Sequence, residues 1–121
     1  MEEAGEYDIT IEQGSGFTLP LRYEAPEGTP VDFTGSTARM QVRPKFGSPT
    51  VLIELTDDDG IELGDDGTIV LTRSADITAA LKFSSGVYDL EITPPVGEPY
   101  KLLRGNVFLK REVTISATPR S

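Results

Sequence analysis

The chain has 121 residues, a formal net charge of −9, no cysteine and no histidine. That length fits one domain, large enough to bury a core without cross-links. The composition excludes disulfides, thiolate nucleophiles, zinc sites built on cysteine or histidine, and the commonest general base.

Taken in chain order, the sequence predicts about eight short strands. Residues 1–6 are small and acidic with nothing to bury, so disorder is expected there. From Tyr7, the alternation of Tyr7, Ile9 and Ile11 against Asp8, Thr10 and Glu12 predicts a first strand with the apolar set inward. The QGSG at 13–16 is a turn, and the next strand sets Phe17, Leu19, Leu21 and Tyr23 against Thr18, Pro20, Arg22 and Glu24. Pro20 cannot donate to a ladder, so that strand needs a free side or a bulge.

A turn carrying Pro30, Asp32 and Gly35 leads into the clearest strand. There Ala38, Met40 and Val42 form a dry face, while Arg39, Gln41 and Arg43 form a wet, cationic one. The segment 44–49 reads as a hairpin turn, with Val51, Ile53 and Leu55 inward on the return. Turns at 57–60 and 64–67 bracket Ile61 and Leu63, and Ile69 and Leu71 complete what reads as a small meander.

The pattern breaks at SADITAALK, residues 74–82, where Ser74 or Asp76 can cap one or two helical turns and Ile77, Ala80 and Leu81 share a face. Period two returns at Gly86 with Tyr88, Leu90 and Ile92 inward, and Tyr88 fits a tyrosine corner whose hydroxyl would bond backbone within 74–85. The last strand spans 100–110, bent or bulged at Gly105, with Val107 and Leu109 inward. The domain is expected over 7–115, with 116–121 flexible. Such a series of strands with one helical crossing is an all-β, immunoglobulin-like antiparallel sandwich; a small closed barrel is the alternative.

Charge is segregated along the chain. Residues 2–12 carry five acids and residues 54–66 carry seven, without a lysine or arginine in either stretch. The overall charge is repulsive to nucleic acid and anionic membrane, so neither is expected as a partner. No run of about twenty apolar residues predicts a spanning helix, and MEEAGEYD has neither the cationic start nor the apolar run of a secretory signal. Synthesis in a cytoplasm is expected, with any later location reached inside a larger particle.

Candidate chemistry is sparse. The Asp57, Asp58, Asp59 and Asp65, Asp66 turns could gather carboxylates for calcium, but adjacent Asp side chains diverge, and hairpin turns account better for Asp and Gly there. Ser, Asp, Glu and Lys occur without a strained elbow or a phosphate-cradling loop, so neither catalysis nor a cofactor is expected. Tyr7, Tyr23, Tyr88 and Tyr100 suit the core better than a carbohydrate platform. The row Arg39, Gln41, Arg43 suits either a solvated sheet face or a protein interface. The acidic turns are its candidate counterpart, meeting it head to tail between copies.

In order along the chain, VDFTGSTARMQVR, TVLIELTDDDGIEL, GDDGTIVLT, ITAAL, GVYDLEIT and LLRGNVFLKREVT resemble a family of tailed-phage β-sandwich proteins that form a collar on the tail tip and anchor side tail fibres. A related pattern occurs at the amino-terminal end of phage upper baseplate proteins. The resemblance covers about residues 7–115. It implies an immunoglobulin-like sandwich, a homo-oligomeric ring, phage tail or fibre proteins as partners, a virion location and no catalysis. Gly35, Gly86, Gly105 and Tyr88 are its structural positions. A carbohydrate- or receptor-binding sandwich and a phage head decoration protein are the competing expectations.

Overall fold

Alternating side chains sort the backbone into two sheets facing each other across one core. The computed structural model describes residues 5–114. The larger sheet takes β1 (Gly5–Glu6), β2 (Ile9–Glu12), β4 (Thr37–Arg43), β5 (Ile53–Thr56), β8 (Ser85–Thr93) and β9 (Tyr100–Lys110). Its order is β1-β9-β8-β4-β5, with β2 also on β9. The smaller sheet is β3 (Phe17–Arg22), β7 (Thr68–Arg73) and β6 (Ile61–Leu63), in that order. The helix α1 (Ala75–Ala79) crosses between β7 and β8. The chain is an all-β, immunoglobulin-like sandwich. Among the described residues the strand pairs are antiparallel except those of β1 and β2, which run parallel to β9.

The core lies where the inward faces meet. Met40, Val42, Ile53, Tyr88, Leu90 and Val107 are buried together, joined by Ile69 and Leu71 from the smaller sheet, with Leu19 half-buried beside them. Among the described residues β3 pairs only with β7, and Pro20 on β3 turns its missing N–H away from that partner.

Six local expectations are corrected. Gly5 and Glu6 pair with Leu103 and Arg104, so the expected disorder ends before them; the rest of that segment and residues 116–121 lie outside the described residues. Tyr7 is 44% exposed, because the backbone breaks its pairing between β1 and β2. Val51 is exposed, since β5 begins only at Ile53. The meander does not form: β5 and β6 belong to different sheets, and the turn at 57–60 carries the chain across the sandwich. The helix buries Thr78 and leaves Ile77 46% exposed, because it packs against the turn after β2 and so needs a hydroxyl inward. Finally, the bulge lies at Leu102, opposite the Leu90/Glu91 step, and not at Gly105.

Ser74 caps the helix as expected, its hydroxyl accepting from the Ile77 N–H. Thr78 then ties this helix to the turn after β2. Its hydroxyl donates to the Ser15 carbonyl at 2.8 Å and accepts from the Gly14 N–H at 3.1 Å.

Candidate interaction surface

The outward residues of the larger sheet form the most structured polar surface in the described chain. Arg39 and Gln41 project from β4 beside Glu54 of β5, whose carboxylate Oε2 accepts from Arg39 Nε at 2.9 Å and from Gln41 Nε2 at 2.7 Å. Gln41 Oε1 in turn accepts from Arg43, whose other nitrogen donates to the Ser48 carbonyl at 2.6 Å. Hydrogen bonds from Gln41 and then Arg39 hold the Glu54 carboxyl below its usual range. On the other side of β4, Lys101 of β9 reaches Glu91 at 2.9 Å and Asp89 at 3.5 Å, both on β8. The cationic row is therefore flanked by acids of its own chain, and period two alone could not reveal which strands lie beside it.

The acidic turns divide by role. Asp57 extends the pairing of β4 with β5, its Oδ1 accepting from the Ala38 N–H at 3.0 Å. Asp59 pairs with Arg73 at 3.0 Å. Asp66 accepts from the backbone and hydroxyl of Thr68, which hold its carboxyl low and shape the β6–β7 hairpin. Asp58 and Asp65 are exposed at the turn tips. The structure does not bring these five together: Asp57 and Asp59 serve the crossing between sheets, and Asp65 and Asp66 the hairpin of the smaller one. Among the described residues no three acidic side chains converge as metal ligands.

Two structural supports of this surface carry no period-two signal. Arg73 ends β7 with its side chain only 9% exposed; it donates to Asp59 and to the Glu54 carbonyl, tying the smaller sheet to the edge of the larger. Phe33, inside the DFTG turn, is buried and meets Tyr23 edge-on with ring centroids 6.5 Å apart. The Asp32 carboxylate accepts from the Thr34 N–H, and Gly35 takes φ +79°, so the turn folds back and aims Phe33 into the core. A tight glycine turn around one large apolar residue was the available signal.

Gly86 and Gly105 serve close approach instead. A Cβ on Gly86 would lie 2.7 Å from the Arg43 carbonyl oxygen, and one on Gly105 would strike the Tyr7 carbonyl. That carbonyl accepts the Tyr88 hydroxyl at 2.6 Å, which corrects the tyrosine-corner expectation. Tyr88 lies opposite Gly105 in the ladder, and the bare glycine leaves its hydroxyl a path to the amino-terminal strand rather than to residues 74–85. Burial pushes the Tyr88 and Tyr23 hydroxyls up, Tyr23 to about 12.

A hollow beside this contact is lined by Phe46, Val87, Arg104 and Asn106. Phe46 is 84% exposed at the tip of the hairpin after β4. Among the described residues no helix is long and apolar enough to cross a membrane.

No family model matches the chain, and no curated protein sequence matches it. Among solved structures it is similar to the extracellular domains of the voltage-gated sodium channel β4 subunit, described as parallel homodimers with a role in cell-cell adhesion. The identity is 14%, over 93% of this chain and 98% of that one, with a TM-score of 0.43. A second similar chain comes from the ZIG-8–RIG-5 IG1–IG1 heterodimer, at 11% identity over 93% of this chain and 87% of that one, with a TM-score of 0.43. At these scores the likeness carries no functional argument, which rests on the chain's own surfaces.

Proposed function

We propose that this chain is a structural virion protein of a tailed bacteriophage, a tail-tip collar or baseplate component that oligomerises and anchors tail fibres. The supporting observation is where the pieces of the family resemblance fall. DFTG, GVYDL and RGNV are the segments whose glycines and aromatics set the turn at Gly35, the strand approach at Gly86 and the Tyr7 contact at Gly105. Residues that specify one particular sandwich are the ones expected to persist among proteins sharing it.

The same reading explains the outer face. A sheet surface on which arginine, glutamine and carboxylates are held in place by mutual hydrogen bonds suits recognition of another protein, because little side-chain freedom remains to be lost on docking. Activity then consists of assembly, with partners among tail and fibre proteins and copies of the same chain. Sedimentation of the purified protein tests this: a closed oligomer is expected. A monomer that binds an immobilised glycan would replace the reading with the carbohydrate-binding one, and binding to empty capsids would replace it with head decoration.

A further inference from the structure

Four adjacent strands of the six-stranded larger sheet carry charge in alternating columns on its exposed side. Glu54 stands on β5, Arg39 on β4, Asp89 and Glu91 on β8, and Lys101 and Arg104 on β9. Read across these four strands the signs are negative, positive, negative, positive, antisymmetric about the line between β4 and β8; past β9 the sheet continues to β1, where Glu6 lies opposite Arg104.

The ladder fixes the heights. Arg39 lies directly opposite Glu91. Gln41 lies opposite Asp89 on one side and Glu54 on the other, and Asp89 lies opposite Arg104. Glu54 and Arg104 are therefore level, at the two ends of one row.

We infer that the outer face of the β5-β4-β8-β9 sheet binds a second copy of itself about a two-fold axis running along the strands between β4 and β8. Such an axis leaves heights unchanged and exchanges columns. It sets β4 of each copy over β8 of the other, and β5 over β9. Arg39 then faces the second copy's Glu91, and Glu54 faces the second copy's Arg104, each contact occurring twice.

An axis between β5 and β4 leaves β8 and β9 unmatched, one between β8 and β9 sets Arg39 over the amino-terminal edge of the partner sheet, and an axis on a column sets like charge against like. Only the axis between β4 and β8 matches both Arg39 with Glu91 and Glu54 with Arg104. Face-to-face sheets pack about 10 Å apart, a gap that opposed Arg and Glu side chains bridge. Exposed ion pairs supply register more than affinity. The apolar part lies at one end of the axis: Val87 is level with Arg43, where the hairpin bearing Phe46 begins, and the two-fold keeps both hairpins at that end.

The contact needs only a second copy and is independent of any virion role. A two-fold pair also differs in symmetry from the rotation that closes a ring, so for an oligomeric wild type the charge variants separate the two readings. The test is the mass by sedimentation of Arg39→Glu alone, Glu91→Arg alone, and the two mixed in equal amounts, with folding checked by circular dichroism.

Each single variant sets like charges together in its own pair, and should halve the mass of the particle that the wild type forms. In the mixture, position 39 of each chain again meets the opposite charge at position 91 of the other, so the wild-type mass should return. Where either variant fails to fold, Glu54→Lys and Arg104→Glu provide the same test at the outer columns. A monomeric wild type, folded single variants with unchanged mass, or a mixture that stays dissociated would each overturn the two-fold contact. A ring whose mass does not halve in the single variants also overturns it, while leaving the ring reading intact.

Discussion

The Tyr88 hydroxyl donates a 2.6 Å hydrogen bond to the Tyr7 carbonyl across the bare backbone of Gly105. One contact thus joins the central strand β8 to the amino-terminal edge strand. Beside it the Asp8 carboxylate accepts from the Asn106 N–H at 2.9 Å, and Tyr7 N–H donates to the Arg104 carbonyl. The edge strand is clamped where its ladder is interrupted.

Tyr88→Phe keeps the ring and removes the bond, and should cost about 0.5–1.5 kcal/mol. Amides of Ile9 and Ile11 should exchange faster with solvent, since the clamp holds their strand. Gly105→Ala should cost about 1–3 kcal/mol, because its Cβ meets backbone that cannot swing aside. Denaturant melts and hydrogen exchange measure both; unchanged exchange in Tyr88→Phe would mean that β2 is held by its ladder alone.

Leu90 is fully buried on β8 between β4 and β9. Leu90→Ala should lower stability by about 2–5 kcal/mol, because flanking strands prevent collapse of the cavity. A loss below half of the lower bound in a denaturant melt would show the core to be more yielding than its burial implies.

The Arg73 contacts separate a buried role from an exposed one. Arg73→Met should cost about 1–3 kcal/mol by leaving the Glu54 carbonyl without that donor. Asp59→Asn should cost no more than about 1 kcal/mol, since the Asp59 side chain is 78% exposed. Equal losses in thermal melts would place the value of the pair in its charge rather than in the tie between sheets.

Stability should fall at both ends of the pH scale. Glu54 and Asp66 have carboxyls held low in the fold by hydrogen bonds from Gln41 and Arg39 and from Thr68. Their contribution is present above the ordinary carboxylate pKa and is lost as pH falls through the lowered values. Tyr23 and Tyr88 are raised by burial, so their contribution is full below the ordinary value and is lost as pH rises, for Tyr23 through about 12. Chemical denaturation across pH should show Glu54→Gln flattening part of the acid limb and Tyr88→Phe part of the alkaline one. Limbs identical to wild type would contradict these assignments.

Much of the sandwich was legible because burial on one face writes a period of two into a strand. Ala38, Met40 and Val42, and Tyr88, Leu90 and Ile92, could point inward in only one register. What escaped depended on partners far apart in the chain. Nothing local says that the turn at 57–60 changes sheets, that Arg73 reaches across to Glu54, or that Thr78 rather than Ile77 faces the core. For the candidate surface, the row Arg39, Gln41 and Arg43 was visible but its neighbours were not, since Glu91 and Lys101 reach it only through strand order. Phe33 escaped because turn residues are expected to be wet, and here the turn exists to bury one.

The virion reading is tested most directly by electron microscopy of phage particles from the culture that carries this gene, labelled with antibodies raised against the purified chain. Gold is expected at the tail tip, near the origin of the side fibres. Particles with unlabelled tails, in a preparation where the antibodies detect the free protein, would contradict it.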